Sequence, residues 1–76
     1  MAINLLFRLK TETEQDVTYQ FGNPGRLNRE LTIRKSDYTV TVADGRTDQL
    51  AILTAGKAMS RHKQDGTWMK SGSVQA

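Results

Sequence analysis

The sequence predicts an α+β fold: an antiparallel meander of four to five strands with one helix packed on its apolar face. Two patterns carry that expectation. Residues 3 to 42 largely alternate apolar with polar side chains, the signature of half-buried strands. Residues 47 to 63 change to Ala, Leu, Gln, Lys and Met, with no Pro and little β-branching, which favours helix. Size is a third observation. A chain of 76 residues, 37% hydrophobic and 25% charged, with one Pro, is globular in composition and long enough for one small domain.

The strands are justified in order. Ile3, Leu5, Phe7 and Leu9 alternate with Asn4, Leu6, Arg8 and Lys10, and Thr11 to Asp16 forms a polar connection. Val17, Tyr19 and Phe21 then alternate with Thr18 and Gln20. Gly22-Asn23-Pro24-Gly25 stops this strand, because Pro24 presets φ for the first corner of a turn and Gly25 supplies a positive φ. Leu31 and Ile33 alternate with Glu30, Thr32 and Arg34 as a third strand. After a reversal at Ser36-Asp37, Tyr38, Val40 and Val42 alternate with Thr39 and Thr41 as a fourth. Phe7, Tyr19, Phe21 and Tyr38 thus share the face of Leu5, Leu31, Ile33 and Val40, which marks them as core. The opposite face offers no ring for base stacking.

The helix is expected from Thr47 to Lys63, capped by Asp44 or Thr47 and ended at Asp65-Gly66. Ala51, Ile52, Ala55, Ala58 and Met59 share its inner side, with Gly56 at the margin. Were Leu50 to Ala55 a strand instead, a small all-β barrel would result. Thr67 to Lys70 reads as a short final strand or a docking segment that brings Trp68 and Met69 to the core. The domain is therefore taken as residues 1–70, and the small, polar tail 71–76 is expected to fray.

Chemistry enters mainly by exclusion. Without cysteine there are no disulfides, zinc thiolates or cysteine nucleophiles, and an unstapled domain of this size suits a reducing compartment. The first apolar run is cut by Arg8 and Lys10, too early for a signal core or a membrane span, so a cytoplasmic protein without a membrane partner is expected. His62 is the only histidine, and no serine has a nucleophile-elbow setting, so no enzyme, cofactor or metal is expected. Glu12, Glu14 and Asp16 resemble a calcium loop, but Val17 stands where Gly is needed and Asn23 where a bidentate Glu is needed. Gly56-Lys57 resembles a P-loop end, yet Ala51 and Ala58 replace its first Gly and its Ser/Thr. The GxxG at Gly22 to Gly25 joins two strand patterns, whereas the KH loop joins helices. No segment carries a family signature.

Charge gives the remaining signal. Residues 1 to 45 hold six basic and six acidic side chains, so the net +3 lies in residues 46 to 76. That placement suggests a small basic binding module contacting nucleic-acid phosphates through Arg46, Lys57, Arg61 and Lys63. The alternative is a protein-interaction module, an inhibitor or homo-oligomer, using a sheet edge or the outer helix face. Its interface candidates are Leu50, Leu53 and Trp68, with Leu6 on the polar face of the first strand.

Overall fold

A computed structural model describes residues 4–23 and 25–75. In chain order it contains β1 (Asn4–Glu12), β2 (Asp16–Asn23), β3 (Arg26–Arg34), β4 (Val40–Val42), α1 (Gln49–Asp65) and β5 (Ser71–Gln75). The sheet order is β4-β3-β2-β1-β5, every pair antiparallel. Four strands form the expected meander; α1 then carries the chain from one edge of the sheet to the other, where β5 pairs with β1. The sheet is open, so the barrel alternative is set aside. Ile3 and Pro24 lie outside the described residues. Among the described residues no helix is long and apolar enough to cross a membrane.

Alternation does place the core. Leu5, Phe7, Val17, Tyr19, Phe21, Leu31 and Ile33 are all buried on one face, under Ala51, Ala55 and Ala58 of α1. Phe7 meets Tyr19 edge-on at 5.7 Å, and the Tyr19 hydroxyl donates to the Met69 carbonyl at 2.7 Å. The polar face is held by cross-strand pairs, Thr18 with Thr32 at 3.0 Å and Lys10 with Glu30 at 2.6 Å. Irregularities at Lys10 and Gly22 interrupt the ladders. At Gly22 the φ is 156°, and a Cβ would collide with the Arg26 carbonyl oxygen, so only glycine fits this bulge.

Four expectations need correction. The domain does not stop at residue 70: Ser71–Gln75 is β5, and Thr67 to Lys70 is the irregular segment. The pairing rests on backbone rather than apolar pattern. The Leu9 N–H donates to the Lys70 carbonyl at 2.7 Å, and Gly72 lies so close under Phe7 and Met69 that only glycine leaves room for both. Tyr38 does not start β4. It has φ 59° in the β3–β4 turn, so the strand begins at Val40, which is only partly buried. The helix runs Gln49–Asp65, since Asp48 is its N-cap and Gly66, at φ 75°, closes it.

The helix is also rotated from the expected face. Thr54 is fully buried and Ile52 is exposed, while Leu50 and Leu53 pack partly against the core. Thr54 can go inside because its hydroxyl donates to the Leu50 carbonyl at 2.8 Å, leaving no unpaired polar atom. Small Ala51, Ala55 and Ala58 let the helix lie close to the aromatic layer.

Candidate interaction surface

One arginine ties the start of α1 to the sheet. Arg29 pairs with Phe21 across β2 and β3, and its guanidinium sits 4.7 Å over the Phe21 ring. From there it holds Asp44 at 2.8 Å, Asp48 at 2.7 Å and the Arg46 carbonyl at 2.9 Å. It therefore ties the β4–α1 loop and the helix cap to the sheet. The Arg29 hydrogen bond, then the Arg46 N–H, hold the Asp44 carboxyl below the usual range. For Asp48 the main cause is the Ala51 backbone N–H, with Arg29 added. Sequence inspection missed this clamp. Its one signal is parity, since Arg29, Leu31 and Ile33 fall on the same face.

With the cap fixed, the outward side of α1 follows. At about 100° per residue, Gln49, Ile52, Ser60 and Lys63 all lie within roughly 40° of Gly56. Ile52 is the one large hydrophobic residue left exposed among the described residues, at 59%. A Cβ at Gly56 would meet nothing within 4 Å among the described residues. On one flank, a groove of about 550 Å³ runs between α1 and β5, lined by Leu53, Met69 and Val74 with Lys57 and Arg61 beside them. On the other, a groove of about 280 Å³ faces β4, lined by Val40, Ala51, Ala55 and Met59. Ile52 and Gly56 border both grooves.

The basic residues singled out from the sequence do not gather into one patch. Arg46, on the loop before α1, has its guanidinium 4.0 Å from Asp48. Lys57 reaches across the larger groove, its Nζ donating to the Ser73 carbonyl at 3.1 Å. Arg61 pairs with Asp65 at 2.9 Å, one helical turn on. Lys63 turns to the opposite flank, 5.2 Å over the Tyr38 ring. Each cation thus has a partner within the chain. Leu6, with Arg8 and Leu27, lines a shallow depression on the open sheet face.

Trp68 is buried, against the interface role considered for it. Its ring stacks on His62 at 4.3 Å and 10°, and the Tyr38 hydroxyl meets His62 Nδ1 at 2.9 Å. This cluster locks the end of α1 to the β3–β4 turn. It also leaves the buried Trp68 Nε1 without a hydrogen-bond partner among the described residues. No group of three or more His, Cys, Asp or Glu residues gathers as a metal site among the described residues. Comparison with protein-family models, curated proteins and solved structures finds no match for this chain.

Proposed function

We propose that this chain is a non-enzymatic protein-interaction module that receives an apolar protein segment along the outward side of α1. The carrying observation is Gly56 beside exposed Ile52. A mid-helix glycine costs about 1 kcal/mol relative to alanine, and nothing among the described residues occupies the space that its missing side chain leaves. Such a residue is explained by a backbone or side chain approaching from outside. The two flanking grooves add apolar walls on either side of that approach, and the basic residues frame it.

The nucleic-acid reading through Arg46, Lys57, Arg61 and Lys63 has less support, because these cations are dispersed and internally engaged. A photo-crosslinking side chain at position 52 separates the two. In the cell of origin it should give one discrete protein adduct that Gly56→Gln suppresses, while the same probe at Thr32 on the open sheet face gives none. Diffuse labelling, equal labelling from position 32, or an adduct to nucleic acid would reject the protein reading.

A further inference from the structure

We infer that the segment received beside α1 docks as an added strand on the free edge of β5, and that it carries a carboxylate among the apolar side chains it turns towards the helix. This rests on the interaction reading above and gives the segment a conformation and a chemistry. The register fixes which backbone groups are on offer. The Leu9 N–H donates to the Lys70 carbonyl at 2.7 Å, and Phe7 and Leu5 then stand opposite Gly72 and Val74. Bonded positions alternate in an antiparallel pair, so Lys70, Gly72 and Val74 turn their backbone groups towards β1. Ser71 and Ser73 turn theirs away from the sheet. The Lys57 ammonium, bonded to the Ser73 carbonyl at 3.1 Å, marks the same direction. Among the described residues β5 is the last strand on its side, so no strand pairs with Ser71 or Ser73.

Such edges are usually guarded by proline, a bulge, charged side chains or a very short strand. The opposite edge, β4, has only three residues. β5 has five, Ser71-Gly72-Ser73-Val74-Gln75, with no proline, no charge and a regular register. Its one guard, Lys57, stands on the helix. The groove of about 550 Å³ between α1 and β5 gives the inward side chains of an added strand a place to go, against Leu53, Met69 and Val74. Ile52 and Gly56 form its rim, which joins this edge to the outward side of α1. Charge selects the occupant. No acidic side chain lines the groove among the described residues. Arg61 is matched by Asp65, whereas Lys57 holds only a neutral carbonyl. A carboxylate on the incoming strand gives Lys57 an anion and frees the Ser73 carbonyl for the strand's own N–H. A second copy does not meet this requirement: β5 brings no acidic side chain, so pairing two β5 edges leaves both Lys57 residues unmatched.

A capped synthetic peptide tests this on the purified protein. One face of the peptide carries valine, glutamate and valine, and the other carries threonine. Titrated into isotope-labelled protein, it should shift the Ser71 and Ser73 amides in NMR spectra and slow their hydrogen exchange. Ser73→Pro removes an outward N–H and keeps the bonds to β1, a position where an edge strand accepts proline. It should keep the fold by circular dichroism and bind about tenfold more weakly, or less. Replacing the peptide's glutamate by glutamine should weaken binding about threefold, and Lys57→Ala should abolish that difference. Should Ser73→Pro unfold, a peptide N-methylated along its bonding edge decides, and it must fail to bind the wild type. Unmoved Ser71 and Ser73 amides at millimolar peptide, equal binding by a folded Ser73→Pro, or no preference for glutamate overturns the proposal. So does slowed exchange at Ser71 and Ser73 in concentrated protein without peptide, which identifies a second copy as the occupant. If the proposal fails while crosslinking from position 52 gives a discrete protein adduct, only the strand mode has failed. If the peptide binds as described and position 52 gives none, the reading along α1 has failed and strand addition stands.

Discussion

Replacing Gly56 by Ala should stabilise the monomer while it weakens the surface that Gly56 serves. The added Cβ enters open space, with no atom of the described residues within 4 Å, so no steric cost offsets the gain in helix propensity. That gain is roughly 0.8–1 kcal/mol for an exposed mid-helix position. In a domain of this size it should raise the melting temperature by about 4–8 °C. With m near 1 kcal/mol/M, the urea midpoint should rise by about 1 M with m unchanged. The assay is urea unfolding followed by circular dichroism in dilute protein, where association adds nothing. An unchanged or lower midpoint in dilute protein would refute the reasoning, since it would mean that the chain itself needs glycine there.

Other sites give independent checks. Gly72→Ala places a Cβ 2.6 Å from Phe7 Cζ and 2.7 Å from Met69 Cε, so overpacking should cost about 1–3 kcal/mol in urea unfolding; wild-type stability would mean β5 does not seat against Phe7. Phe21→Ala should cost about 3–5 kcal/mol, because the ring is fully buried and carries Arg29. Val40→Ala should cost clearly less, and equal losses would contradict the burial difference between them. Burial, then the Glu12 charge, push the Tyr19 phenol up to about 12, so above its ordinary value near 10 the unfolded chain ionises first. Stability should be intact below about pH 10 and fall by on the order of 2 kcal/mol as pH rises towards 12. The same alkaline decline in Tyr19→Phe would disprove that assignment.

What the sequence reveals, and what it hides, follows from which forces place each residue. Leu5, Phe7, Val17, Tyr19, Phe21, Leu31 and Ile33 could be read in advance because alternation directly reports a one-faced sheet. β5 could not. Ser71, Gly72 and Ser73 show no apolar period, and their pairing comes from backbone hydrogen bonds and from the room glycine leaves under Phe7. The helix was readable in extent to within two residues, but its rotation was not. Hydropathy sends Ile52 inward and Thr54 outward, whereas in the fold Thr54 is buried with its hydroxyl paired to the Leu50 carbonyl and the helix cap is tied to Arg29. That rotation creates the candidate site, so composition alone pointed to the cations instead. Their dispersal depends on tertiary partners such as Ser73 and Tyr38, which lie far away in sequence.

The central claim is that the outward side of α1 is a binding surface for an apolar protein segment. A photo-crosslinking side chain at position 52, used in the cell of origin with and without Gly56→Gln, tests it most directly. The account predicts one discrete protein adduct that the Gly56 variant suppresses. Diffuse labelling, or an adduct of equal yield in the variant, would contradict it.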